Sequence, residues 1–98
     1  MFELDFTYVS KEQLSLLKND KSQKAAYKAV TKALRYLKNN PRHNSLNSKP
    51  YQSIKGPNRE KIFESYAQQK RPSPYRIFWY YGPEKGVITI LNIIPHPF

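Results

Sequence analysis

The chain has 98 residues and carries 17 Lys and Arg against 7 Asp and Glu, which gives a net charge of +10. This length allows one domain, residues 1–98, with a single modest core, and the 14% aromatic content excludes a disordered basic tail. The chain has no cysteine, which excludes disulfides and thiolate metal sites, and its two histidines lie too far apart in sequence to suggest a metal centre.

The first nine residues predict a β-strand. Apolar and polar side chains alternate from Phe2 to Val9, and the buried face would carry Phe2, Leu4 and Phe6. This segment lacks the basic region and apolar run of a signal peptide. The most apolar run, Val87 to Ile94, is too short to cross a bilayer. We therefore expect a cytoplasmic protein without a membrane partner.

Two helices are predicted next. Ser10 and Gln13 have the spacing of a capping box, which predicts a helix from Ser10 to about Lys18. A second helix should run from Ser22 to about Asn39, because hydrophobic residues recur there every three or four positions. Its buried stripe would consist of Tyr27, Val30, Leu34 and Leu37.

Another face of the second helix carries a row of basic residues: Lys24, Lys28, Lys32 and Arg35. No acidic residue stands four positions away from Lys28, Lys32 or Arg35, so the usual intrahelical ion pairs are missing there. The whole segment from Lys21 to Arg59 contains ten basic residues and no acidic one. Such a surface favours a polyanion or an acidic protein segment as its partner, although a solvated helix face would look the same.

The last third of the chain predicts an antiparallel meander. After a loop over residues 39–50, a short extended piece from Tyr51 to Ile54 and a turn at Gly56–Asn58, three strands are expected. They would span Lys61–Ala67, Tyr75–Tyr81 and Val87–Ile93, with a polar connection over residues 68–74 and a hairpin turn at Gly82–Gly86.

Alternation along the middle strand separates its side chains into two faces. Arg76, Phe78 and Tyr80 would share one face, whereas Tyr75, Ile77, Trp79 and Tyr81 would share the other. The order β-α-α-β-β-β then predicts an α+β fold in which two N-terminal helices cover one face of an antiparallel sheet. The other face would stay partly open, and polar strand residues there would be available for chemistry.

Several local patterns resemble one known family. An Asn-Pro-Arg helix end, Phe63-Glu-Ser-Tyr66, Tyr75-Arg-Ile-Phe-Trp79, an apolar return strand and a terminal Pro-His-Pro-Phe98 resemble the RelE/ParE toxin superfamily of type II toxin–antitoxin systems. The likeness covers nearly the whole chain in element order, with its motifs in residues 61–98. It implies a small basic toxin that an antitoxin neutralises. The RelE-like branch cleaves mRNA on the ribosome, and the ParE-like branch inhibits DNA gyrase.

The resemblance also suggests roles for three residues. Arg76 resembles the strand arginine that contacts the scissile phosphate, His96 the terminal histidine that acts as acid or base, and Glu64 the acidic residue of the preceding strand. RNA cleavage without a metal or cofactor requires a base, a cation for the phosphorane charge and an acid. We expect Arg76 to stabilise that charge, His96 to act as the acid, and Glu64 to act as the base or to orient Arg76.

Further residues are expected to bind nucleic acid. Lys49, Lys55 and Arg59 would hold the RNA backbone together with the helix residues Lys28, Lys32 and Arg35, and Tyr80 and Phe98 would stack on bases. RelE itself has closely spaced lysines where this chain has Glu64-Ser-Tyr66, so the base is unidentified. A ribosome-dependent endoribonuclease toxin is therefore the favoured hypothesis. The alternatives are a gyrase-inhibiting toxin and a basic nucleic-acid-binding module without catalysis.

Overall fold

A computed structural model describes residues 1–96, so Phe98 and its expected stacking role lie outside the described residues. The strands and helices follow in the order β1 (Glu3–Phe6), α1 (Tyr8–Asn19), α2 (Lys24–Asn39), β2 (Lys49–Lys55), β3 (Lys61–Tyr66), β4 (Tyr75–Tyr81) and β5 (Val87–Pro95). Single 3₁₀ turns at Lys21–Gln23 and Asn44–Leu46 precede α2 and β2. Within residues 1–96, no helix combines the length and apolar character that a transmembrane span requires.

The first helix begins earlier than the capping-box pattern predicted. Thr7 is the N-cap, because its Oγ1 accepts the N–H of Ser10 at 3.1 Å. The Thr7 hydroxyl also donates to the carbonyl of Leu91, which fixes the end of β1 against β5. The capping box at Ser10 was therefore wrong: Gln13 instead accepts the N–H of Ile93 at 2.7 Å and ties α1 to β5.

The second helix has the predicted buried stripe. Val30, Leu34 and Leu37 are buried, and Tyr27 packs against them from a half-buried position. Two small residues, Ala26 and Ala33, complete the stripe and allow the helix to lie close to the sheet. The resulting main core lies between the helices and one face of the sheet, where it includes Ile77, Trp79, Ile88, Ile90 and Ile93.

Among the described residues, 1–96, the sheet contains five strands in the order β1-β5-β4-β3-β2. β3 to β5 form the predicted antiparallel meander and β2 extends it, but β1 pairs with β5 in parallel, with Glu3 opposite Val87 and Phe6 opposite Ile90. The α+β class and the two covering helices are confirmed, whereas the expectation of a wholly antiparallel sheet is corrected to a mixed one. The reason is that β1 is connected through two helices, and no hairpin constrains its direction.

The strand β2 is longer than the predicted extended piece and begins inside the predicted loop. Lys49 pairs with Glu64, and Tyr51 pairs with Ile62. β2 lies at the edge of the sheet, the position in which strands tolerate a proline such as Pro50. Most side chains of β2 are exposed, so the strand lacks the alternation that identifies a half-buried strand.

The two predicted faces of β4 are confirmed. Ile77 and Trp79 lie in the main core, whereas Phe78 and Tyr80 form a second apolar cluster with Ile62 on the opposite face. We call this opposite face the open face, because both helices pack against the main core on the other side. Arg76 lies on the open face by the same alternation, beside Tyr66, its partner on β3.

Candidate functional site

The open face brings together the three residues that the sequence suggested for catalysis. The Nε atom of Arg76 lies 3.5 Å from Oε2 of Glu64, and Nδ1 of His96 lies 3.7 Å from the same oxygen. The β3–β4 register explains the first contact, because it makes Glu64 and Arg76 diagonal neighbours on one face. The backbone N–H of His96 donates to the carbonyl of Pro74 at 2.6 Å, which holds the segment after β5 beside the start of β4.

Glu64 and Arg76 are buried beneath the surface of this site. Glu64 is 5% exposed and Arg76 is 6% exposed. Nη1 of Arg76 donates to the carbonyls of Gln68 at 2.6 Å and Tyr75 at 3.3 Å. Within residues 1–96, Oε2 of Glu64 and Nε of Arg76 have no hydrogen-bond partner, so the two groups attract each other without a hydrogen bond. This geometry suits a carboxylate that orients Arg76 and His96 better than one that abstracts a substrate proton.

Tyr66 and Lys49 complete the site. The ammonium of Lys49 donates to Oη of Tyr66 at 2.7 Å, and Cζ of Arg76 lies 3.6 Å from the centre of the Tyr66 ring. The phenol therefore contacts one cation through its oxygen and another through its ring face. The hydrogen bond to Tyr66 is also the main reason why the pKa of Lys49 is raised above its ordinary value.

The site thus has two layers. Glu64 and Arg76 form the buried layer, and Lys49, Tyr66 and His96 form the accessible layer, in which the His96 side chain is 45% exposed. Tyr66 was not among the residues that the sequence suggested for the site. The available signal was the spacing of Glu64 and Tyr66, two positions apart on one strand and so on the same face.

Comparison with solved structures identifies the fold. The chain superimposes on the YoeB/ParE toxin from Agrobacterium tumefaciens with a TM-score of 0.72 at 9% identity, covering 97% of this chain and 99% of the other. It matches the archaeal RelE–RelB complex from Pyrococcus horikoshii OT3 with a TM-score of 0.66 at 14% identity, covering 98% and 96%. A chain of the intact E. coli RelBE toxin–antitoxin complex gives 0.62 at 14% identity over 100% of both chains.

This chain has the RelE/ParE toxin fold. No protein-family model matches its sequence, and no curated protein matches it. The support for the expected fold comes from three-dimensional similarity over nearly the full length of the chains, and not from sequence comparison.

Two cations expected to hold the RNA backbone lie away from the two-layer site. Lys55 pairs with Lys61, five positions before Tyr66 on β3, so it lies about 16 Å along the strand from Tyr66. Arg59 lies in the following turn with a φ of 69°. Both side chains are exposed and free to contact a long polyanion, but among these three cations only Lys49 reaches the site.

The basic row on α2 lies on the helical side of the sheet, with Lys28, Lys32 and Arg35 exposed. At the end of the sheet, Lys32 and Tyr66 line the same cavity of about 250 Å³. The basic helix face therefore approaches the site from the side of Tyr66, and the two surfaces meet at this cavity.

Tyr80 has a different environment from the one expected. It is 6% exposed and packs with Ile62 and Phe78 in the second apolar cluster. A base cannot stack on this ring without opening that cluster. The expectation failed because alternation gives the face on which an aromatic residue lies but not whether neighbouring strands cover it.

Proposed function

We propose that this protein is the toxin of a toxin–antitoxin pair and cleaves ribosome-bound mRNA in the cytoplasm, using side chains alone. The observation that carries the proposal is the convergence of Glu64, Arg76 and His96 on the open face. The toxin fold supports the same role. The resemblance of these three residues to those of the RelE-like branch favours the nuclease activity over gyrase inhibition.

The proposed reaction is a transesterification within the RNA strand. The 2′-oxygen bonds to phosphorus after its proton passes to solvent water, the bond from phosphorus to the 5′-oxygen breaks, and His96 supplies the proton that this oxygen takes up. Glu64 fixes the orientation of the imidazole through its contact with Nδ1. Arg76 places a permanent positive charge beneath the site, where it favours the additional negative charge of the phosphorane.

The proposed partner is an acidic antitoxin with apolar anchor residues. The acid-free segment from Lys21 to Arg59 provides the complementary charge. The first helix adds an apolar surface, because Tyr8 is 81% exposed, Leu16 67% and Val9 51%. Apolar side chains at this exposure are typical of a surface that a partner covers.

Expression of the wild type and of His96→Ala tests the proposal, with cell growth and mRNA 5′ ends as readouts. The wild type should arrest growth and produce new 5′ ends within translated messages, whereas His96→Ala should do neither. His43→Ala is the matched control, because His43 stacks on Tyr36 in the loop before β2 and should leave both effects intact. Growth arrest with intact mRNA and damaged DNA would favour gyrase inhibition, and normal growth would favour a binding module without catalysis.

A further inference from the structure

The position of Arg76 raises the question of which group first meets a substrate phosphate. Arg76 is 6% exposed, its Nη1 is committed to two backbone carbonyls, and the Tyr66 ring lies over its guanidinium. A phosphate that approaches from solvent therefore reaches the accessible layer before Arg76. In that layer, Tyr66 carries the hydroxyl that lies directly beside an exposed cation.

We propose that Lys49 and Tyr66 form a phosphodiester-binding pair in which the Tyr66 hydroxyl donates a hydrogen bond to a non-bridging phosphate oxygen. This inference rests on the proposed nuclease function and names a residue that contacts its substrate. Tyr66 is then a catalytic residue, and Arg76, which lies against its ring, strengthens it as a hydrogen-bond donor.

The direction of the Lys49–Tyr66 hydrogen bond carries the proposal. An ammonium group has donors only, so Lys49 donates and the phenol oxygen accepts. The phenol proton must then point away from Lys49, where it is available to an acceptor that approaches the site. An incoming phosphate oxygen is such an acceptor, and the ammonium retains further N–H groups for the same phosphate.

The two neighbouring cations strengthen this donor. A hydrogen bond accepted from a charged donor polarises the phenol, which makes its O–H a better donor to the next group. Arg76 adds a second positive charge at 3.6 Å from the ring centre. The charge that develops on the phosphorane oxygens in the transition state thus meets a preorganised donor that requires little rearrangement.

The variant Tyr66→Phe isolates the hydroxyl, because phenylalanine keeps a ring over Arg76 and removes only the oxygen. Single-turnover cleavage of ribosome-bound mRNA should slow by about 10²-fold, which is typical for loss of one transition-state donor. Tyr81→Phe is the matched control: its ring is exposed at the other end of β4 and should support cleavage at the wild-type rate. Cleavage by Tyr66→Phe at the wild-type rate would overturn the proposal.

A phosphorothioate substrate separates contact with the phosphate from a merely structural role. Sulfur accepts hydrogen bonds poorly, so the wild type should slow on one of the two diastereomers, and this difference should be smaller in Tyr66→Phe. An equal diastereomer preference in both proteins would contradict a direct contact.

Two different measurements test the nuclease function and the Lys49–Tyr66 binding pair. If the wild type leaves ribosome-bound mRNA intact, the nuclease function is wrong, and the pair is then tested by titration with a short oligoribonucleotide. The wild type should bind it about tenfold more tightly than Tyr66→Phe, as expected for one hydrogen bond to a charged group. Equal affinity would overturn the binding pair as well.

Discussion

Nε of Arg76 and Oε2 of Glu64 face each other at 3.5 Å in the interior of the open face, and neither atom has a hydrogen-bond partner within residues 1–96. Each group therefore depends on the other for charge compensation. His96 approaches the same carboxylate oxygen from the exposed side at 3.7 Å. The buried pair thus links the interior of the sheet to the accessible layer above it.

Removal of Arg76 alone should be costly for stability. Arg76→Met leaves the Glu64 carboxylate buried without its main partner, and the free energy of unfolding should fall by about 3–5 kcal/mol in urea titrations. The double variant Arg76→Met with Glu64→Leu should recover a large part of that loss, because no buried charge then remains uncompensated. Additive losses from the two substitutions would show that the groups are not coupled.

The Lys49–Tyr66 hydrogen bond should be visible in the titration of Lys49. Because Tyr66 raises the pKa of Lys49, the Tyr66→Phe variant should return that pKa towards its ordinary value of 10.5, measured by NMR on the lysine side chain. A raised pKa in the folded state contributes stability that is complete below the unfolded pKa. That contribution is lost as the pH rises through the folded pKa, so the part of the stability difference that comes from this hydrogen bond should vanish in strongly alkaline solution. Identical Lys49 titration in both proteins would contradict the contact.

A buried hydroxyl chain should stabilise the start of β2. Ser65 Oγ accepts the indole N–H of Trp79 at 2.8 Å and lies 2.6 Å from Ser48 Oγ, which donates to the Pro41 carbonyl. Ser65→Ala leaves the buried indole N–H unpaired, and the free energy of unfolding should fall by about 1–3 kcal/mol. Ser53→Ala on the exposed part of β2 is the control and should change stability by about 0.5 kcal/mol at most. Equal losses of stability in both variants would contradict a stabilising role for this hydroxyl chain.

The capping role of Thr7 predicts a measurable difference from its neighbours on α1. Thr7→Ala removes the acceptor for the Ser10 N–H, and it should lower the free energy of unfolding by about 1–2 kcal/mol in thermal or urea denaturation. The exposed Ser15→Ala in the middle of α1 should have no such cost, because alanine favours helix. No loss of stability in Thr7→Ala would mean that α1 does not depend on this cap.

Much of this fold could be predicted because hydrophobic residues recur at different spacings in its helices and its strands. Val30, Leu34 and Leu37 recur at helical spacing, and the aromatic run from Tyr75 to Tyr81 is typical of a central strand. The end of β1 could not be predicted, because Thr7-Tyr-Val9 has strand-like residues, and only the Leu91 carbonyl and the Ser10 amide make Thr7 a cap. The parallel β1–β5 pairing depends on contacts between the two ends of the chain, which no local pattern records.

The candidate site could be predicted in part. Glu64, Arg76 and His96 were expected from their resemblance to a toxin family, and the structure places them in contact. The spacing of Glu64 and Tyr66 placed Tyr66 on the same face, but its contact with Lys49 could not be predicted, because Lys49 stood in a segment that composition identified as a loop. The burial of Arg76 could not be predicted from the sequence either, since it depends on the Tyr66 ring that covers the guanidinium.

Binding of single-stranded RNA should weaken steeply with salt, because several cations release counterions from the RNA. Replacement of Lys49 by Gln should reduce the magnitude of the slope of log K against log salt concentration by about 1, as expected for the loss of one phosphate contact. Lys11→Gln on α1 lies outside the acid-free segment and is the control, with an unchanged slope expected. An affinity that is independent of salt would contradict the electrostatic part of the proposed function.

The most direct test of the nuclease proposal is the rate at which the purified protein cuts a defined mRNA on programmed ribosomes. The wild type should generate fragments with 2′,3′-cyclic phosphate and 5′-hydroxyl ends, and loss of the acid in His96→Ala should slow this step by about 10²–10⁴-fold. Intact mRNA in the presence of the wild type, or cleavage by His96→Ala at the wild-type rate, would contradict the account.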